Sequence, residues 1–279
     1  MESLAGKTAI VTGGGSGMGR AMAVRFVRAG MNVVVADIAV EGMAATVAAA
    51  TEFGAAAIGV ETDVADEHAN VALRDAAIDA FGAYHVVCLN AGVTGSSGRC
   101  WTLTAADWRW TLGILLDGVI HGVRAFVPGL VAQDEGHVVI TASIAGHVAS
   151  AFSGPYIVGK HGVTALAESL HHELRAERSA VGVTCLCPGF VKTDIVEAAR
   201  RRADGQVGTP QDDAGKRWLD FSGRALDGGL DPAVVGDQVH DAIVGDQFWL
   251  FTDDAWDHAI AKRAEEITNR LPPSTGRPT

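Results

Sequence analysis

Positive charge is scarce in this 279-residue chain: 22 Lys and Arg stand against 33 Asp and Glu, a formal net charge of −11. No basic stripe relieves that deficit, which argues against nucleic acid or an anionic membrane surface as the main partner. Cysteine is equally thin. The four thiols, Cys88, Cys100, Cys185 and Cys187, build no framework, and Cys185-x-Cys187 lacks the two-residue gap of common zinc or redox pairs. Buried free thiols in a reducing cytoplasm are expected. Unbroken apolar runs are missing too. Residues 112–131 are interrupted by Asp117, His121 and Arg124, so a packed helix is expected there and not a membrane span. The first strand-like run begins at residue 7, so no signal peptide is expected. His171 and His172 are adjacent, so on a helix they diverge, and no metal site is expected.

What the chain has in quantity is apolar residues, 48% of the total. They fall into short strand-like runs near 7–12, 32–37, 56–62, 85–90, 136–142, 182–187 and 248–252. Helical spacing lies between them, near 17–29, 39–52, 66–81, 104–132, 154–178 and 232–244. Such alternation predicts an α/β protein: a single-domain Rossmann fold spanning 1–279, with a doubly wound seven-stranded parallel sheet and helices on both faces. Residues 189–230 break the alternation. Residues 195–202 could form a short helix, and the polar stretch that follows suggests an active-site lid within the domain. The proline-containing tail, 270–279, cannot extend a helix and is expected to be flexible or to cross a neighbouring subunit.

The first strand runs into Thr12-Gly13-Gly14-Gly15-Ser16-Gly17-Met18-Gly19 and then into helical spacing. Strand, glycine-rich turn and helix together make a dinucleotide fingerprint, because glycines let backbone N–H groups approach a pyrophosphate at a helix N-terminus. The second strand ends in Asp37, a carboxylate that can accept hydrogen bonds from a ribose and would repel a 2′-phosphate. Neither Ser16 nor Ala39 supplies a cation for that phosphate, so NAD is expected over NADP. Asp37 could also cap the helix that follows. Arg20 is expected to be a solvated helix position.

Farther along, Ser143 precedes Tyr156 and Lys160. Residues four apart on a helix share a face. An ammonium about 4 Å from a phenol, at an effective dielectric of about 20, would stabilise the phenolate by roughly 4 kcal/mol, about three pK units. A phenol so poised suits proton transfer to or from an alcohol oxygen.

These motifs, in this order, resemble the short-chain dehydrogenase/reductase family over about residues 7–251. The resemblance assigns Ser143, Tyr156 and Lys160 as the catalytic set. It assigns Gly13, Ser16, Gly17, Met18, Gly19, Asp37, Ile38, Asp63, Val64, Asn90, Ala91 and Gly92 to the cofactor. Tyr156, Lys160, Pro188, Gly189, Val191 and Thr193 join them around the nicotinamide. It implies NAD, a small-molecule alcohol or ketone substrate, and a homotetramer or homodimer. One departure is plain: the family's helix Asn, which anchors a water in a proton relay from the Lys, aligns with Leu115. Leu89 stands where a second Asn commonly precedes Asn90.

The substrate side draws on Thr94, Ser96, His147, Phe152, Phe190, Ile195, Trp218 and Phe221, with Arg99 and Lys192 left open as cations. This mostly apolar set suggests a bulky, uncharged secondary alcohol. Two alternatives stand beside an NAD-dependent alcohol dehydrogenase: an NADPH-dependent ketone or imine reductase, and a non-catalytic nucleotide sensor.

Overall fold

The computed structural model of the protein describes residues 1, 3–54, 56–198 and 212–274. Seven strands form one parallel sheet: β1 Thr8–Thr12, β2 Asn32–Asp37, β3 Ala57–Glu61, β4 Val86–Leu89, β5 His137–Thr141, β6 Gly182–Cys187 and β7 Trp249–Phe251. Their spatial order is β3-β2-β1-β4-β5-β6-β7. The chain winds outward in both directions from β1 and β4, and ligands of such sheets bind at the carboxyl ends beside that reversal.

Strand side chains alternate between two cores. Ile10, Val34, Val87 and Ile140 join Leu73, Phe126, Leu130, Val163 and Leu170 from α3 (Glu67–Phe81), α5 (Gly118–Ala132) and α6 (Gly154–Ala176). Ala9, Val11, Val33 and Val35 join Met22, Phe26, Met43, Val235 and Ile243 on the other face. Those helical residues come from α1 (Gly17–Arg28), α2 (Val40–Thr51) and α9 (Pro232–Val244). Burial on both faces is why the strands read as continuous apolar runs.

Several segments differ from the sequence expectation. The helix expected over 104–132 is α4 (Ala105–Leu112), a π-helical turn at Gly113–Asp117, and α5. Only the start of the expected 195–202 helix is described, as α7 (Ile195–Ala198); residues 199–211 of the expected lid lie outside the described residues. Two further helices appear, α8 (Asp213–Asp227) and α10 (Asp257–Thr268). Within the expected flexible tail, residues 271–274 turn back onto the protein, and 275–279 lie outside the described residues.

Candidate active site

The strand ends open on a cavity of about 1210 Å³ that every expected cofactor residue lines. After β1 the chain turns through Gly13 (φ +64°) and Gly17 (φ +49°). A Cβ on Gly13 would stand 2.8 Å from Ala91 Cα, and one on Gly19 would overlap the Gly13 carbonyl. Neither of these two positions has room for a side chain. No side chain caps α1 at Ser16, so its first-turn amides suit phosphate oxygens.

Asp37 is fixed at the end of β2. Its Oδ2 accepts from Gly15 N at 2.8 Å and its Oδ1 from Ala39 N at 2.8 Å. The carboxylate thus steadies the start of α2 while lining the cavity beside Ile38. Arg20 is not the solvated residue expected from sequence. Its Nε donates to Thr46 Oγ1 at 2.9 Å, and its Nη2 to the carbonyls of Gly15 and Gly42, bracing the glycine turn against α2. A glycine cradle, open amides and a terminal carboxylate fit a dinucleotide.

Hydrogen bonds join this cradle to the reactive side chains. Thr12 Oγ1 donates to Cys88 O and accepts from Asn90 N at 2.9 Å and Ala91 N at 3.1 Å. Asn90 Nδ2 donates to Thr12 O at 3.0 Å, and Asn90 Oδ1 accepts from Thr141 Oγ1 at 3.2 Å. Lys160 Nζ donates to Thr141 O at 2.8 Å. Four elements, β1, β4, β5 and α6, are thereby held in one frame.

Ser143 lies two residues past β5, with its Oγ accepting from Ala145 N at 3.1 Å, and Tyr156 and Lys160 lie on the first turns of α6. All three line the cavity. The electrostatics differ from the sequence estimate. Lys160 Nζ stands 5.8 Å from the centre of the Tyr156 ring. Burial pushes the Tyr156 phenol above its ordinary value, and a hydrogen bond with Ser143 pulls it back in part. Burial also lowers Lys160 to about 8. Desolvation, absent from a spacing argument, is the largest influence on both groups. Leu115 is buried within the π-helical turn. Its side chain lies 3.2 Å from where a Gly92 Cβ would be, a position itself 3.9 Å from Lys160 Nζ. Leu115 and the amine thus both face Gly92, and the amine's hydrogen-bond acceptor is the Thr141 carbonyl.

The other half of the cavity is aromatic. Thr94, Phe152, Phe190, Ile195, Trp218 and Phe221 line it as expected. His147 does not: its Nε2 lies 3.2 Å from Cys187 Sγ, and its ring packs against Trp249 and Phe251. The residue sits at the strand-end rim, but its rotamer turns toward β6 and β7. Ser96 turns to Asp107 Oδ1 at 2.7 Å, and Arg99 pairs with Asp212 Oδ2 at 2.8 Å. Neither Ser96, Arg99 nor Lys192 lines the cavity, whereas Arg217 of α8 does. Cys100 is exposed, against the expectation of burial, because it lies in the irregular segment preceding α4. Sequence reasoning missed Trp256, Pro273 and Ser274, which also line the cavity. A signal for Trp256 was present: an aromatic residue just beyond the carboxyl end of a parallel strand.

Comparison with known proteins agrees with this geometry. The family described as short chain dehydrogenase matches residues 7–204, and the chain belongs to that family. It is 33% identical over 269 residues to the 1-deoxy-11-beta-hydroxypentalenate dehydrogenase of Streptomyces exfoliatus, covering 90% of this chain and 89% of that protein. It is 29% identical over 212 residues to the cyclohexanol dehydrogenase of Acinetobacter sp. (strain SE19), covering 74% and 84% respectively. The crystal structure of a short chain dehydrogenase/reductase from Burkholderia phymatum in complex with NAD superposes with a TM-score of 0.95 at 37% identity, over 99% of both chains. The protein is an oxidoreductase of the CH–OH class on a Rossmann fold.

Proposed function

We propose that the protein interconverts a bulky, uncharged secondary alcohol and its ketone with NAD as the hydride carrier. The observation that carries this reading is the convergence of Ser143, Tyr156 and Lys160 on the one cavity shared by the glycine turn and Asp37. The carboxylate of Asp37 would repel a 2′-phosphate, and Arg20, held by Gly15, Gly42 and Thr46, is committed elsewhere. Both points favour NAD over NADP, and the NAD complex of the Burkholderia relative supports the same choice. An apolar wall and a relative named for cyclohexanol support an alicyclic substrate.

Bound nicotinamide supplies or accepts the hydride. Tyr156, as its phenolate, takes the alcohol proton during oxidation and, as the phenol, returns it during reduction. Ser143 orients the substrate oxygen and stabilises the charge that develops on it. Lys160 supplies the positive charge that a buried phenolate needs. We include in the reading a cytoplasmic enzyme assembled as a homodimer or homotetramer; exposed apolar residues such as Ile120 of α5 and Val158 of α6 support assembly.

An NADH-production screen over secondary alcohols, repeated with NADP, tests the reading. Tyr156→Phe should lower kcat by about a thousandfold while the protein still binds NADH in a fluorescence titration. Near-normal turnover in that variant would sink the assignment of Tyr156. Asp37→Ala should narrow the preference for NAD over NADP by at least tenfold in kcat/KM, and an unchanged ratio would remove Asp37 from the selection of cofactor.

A further inference from the structure

The C-terminal segment is built to stay where it lies. α10 ends at Thr268, and the chain reverses at Arg270, whose φ of +57° is a conformation that side chains other than glycine adopt rarely. The reversal is bonded as a helix-terminating turn, with Arg270 N donating to Ile267 O at 3.2 Å and Leu271 N to Glu266 O at 2.8 Å. Two prolines follow, Pro272 and Pro273, each fixing φ and stiffening the strap. The Glu266 carboxylate then accepts from Ser274 N at 3.2 Å. Glu266 is the one buried residue of α10. Its carboxylate holds the end of the strap.

The strap reaches the cavity, which Pro273 and Ser274 line. The cavity is also lined by Trp256, with its ring 6.0 Å from that of Phe190, and by Phe221, 6.2 Å from Phe190. These three rings come from separate segments, and the strap adds the Pro273 ring to the lining of the same cavity.

We propose that the strap formed by residues 271–274 is a specificity-determining wall of the alcohol-binding half of the cavity. Pro273 touches the distal part of a long substrate, and Glu266 is the positioning residue that holds it there. This rests on the functional reading above, because it presumes that an alcohol occupies the aromatic half of the cavity. A substrate that extends past the ring bearing its carbinol gains contact with the strap, and a compact one does not.

The test compares cyclohexanol with 4-phenylcyclohexanol, which carries the same carbinol ring and one further ring. Three variants of the full enzyme are measured: a chain ending at Arg270, Glu266→Ala, and Glu266→Gln, whose amide oxygen still accepts from Ser274 N. The first two should lower the kcat/KM ratio of 4-phenylcyclohexanol to cyclohexanol at least tenfold through KM, with KM for NAD moving less than twofold. Glu266→Gln should restore most of the ratio. Pro273→Gly supplies a fourth variant that leaves the Glu266 clamp in place, and it should lower the ratio in the same direction. Equal losses on both alcohols, a loss confined to NAD, or an unchanged ratio would each overturn the proposal while leaving the functional reading intact. An unmodified enzyme that oxidises neither these nor any other alcohol of the screen would overturn the functional reading and the strap's role together.

Discussion

Phe152 carries a φ of +70°, a left-handed conformation that is unusual for an aromatic residue. The surroundings impose it. Gly98 N donates to Phe152 O at 2.9 Å, and Gly98 pairs with Ser153 as an isolated parallel bridge. The strained backbone delivers the ring to the cavity just before Tyr156 on the chain. Strain of this kind costs on the order of 1–3 kcal/mol and persists where neighbouring structure fixes it. A matched pair of variants separates strain from contact. Phe152→Ala and Phe152→Gly both remove the ring, but only glycine is at ease at positive φ, so Gly should be the more stable by about 1 kcal/mol in urea unfolding. Both should raise KM for a bulky alcohol. Equal stabilities would show that position 152 relaxes when the ring is lost and that no strain is held there. The catalytic residues themselves were legible in the chain because i, i+4 spacing is a local property. The direction of the Tyr156 shift was not, because desolvation depends on everything packed around the phenol.

At the scale of elements, α8 brings Trp218 and Phe221 to the cavity and is tied down at its start. Asp212 is its N-cap: Oδ1 accepts from Gly215 N at 2.8 Å, while Oδ2 accepts from Arg99 N at 3.3 Å and Arg99 Nη1 at 2.8 Å. These bonds, the one from Gly215 foremost, draw the carboxyl down to about 2, so it stays ionised across the working range. Ser97 Oγ adds a bond to Gly215 O at 3.2 Å. Asp212→Ala removes the cap and the Arg99 partner together. Hydrogen exchange in α8 should then rise at least tenfold and KM for the alcohol several-fold, while the affinity for NAD stays as it was. Unaltered exchange in α8 would mean that the helix is held by its packing alone. The same elements show where sequence reading stops. Strands buried on both faces gave clear apolar runs. α10 has a single buried residue, so it has no apolar stripe to find. The π-helical turn at Gly113–Asp117 is flanked by helix on both sides, and one extra residue in a turn leaves apolar spacing nearly unchanged. The strap could not be read at all, since its place depends on a bond between Ser274 and Glu266 across a chain reversal.

For the whole molecule, the two faces of the sheet put all expected cofactor residues at one end, and the opposite end of the sheet holds a group that ties its stability to pH. His137 opens β5 and is fully buried. Thr184 Oγ1 donates to Gln247 O at 2.7 Å, so the 2.7 Å contact between that hydroxyl and His137 Nε2 is made by an imidazole N–H. The unprotonated Nδ1 is left without a hydrogen-bond partner among the described residues, with Asp246 Oδ1 at 3.9 Å. Burial lowers the imidazole to about 3 in the folded state, against about 6.5 when unfolded. Below pH 6.5 the unfolded chain takes up a proton that the native chain refuses. The contribution of His137 is therefore complete above pH 6.5 and is lost as pH falls from there toward 3, at up to about 1.4 kcal/mol per pH unit. Between pH 6.5 and pH 5 that amounts to roughly 2 kcal/mol from this residue alone. Urea unfolding across that interval should show the native protein losing stability more steeply than His137→Gln, which cannot take up the proton. The variant will start from a lower plateau at pH 7, because the packing and the bond to Thr184 are disturbed, so the slopes and not the absolute values decide. Parallel slopes would mean that the native protein accommodates a charged His137, with Asp246 drawn in to pair with it.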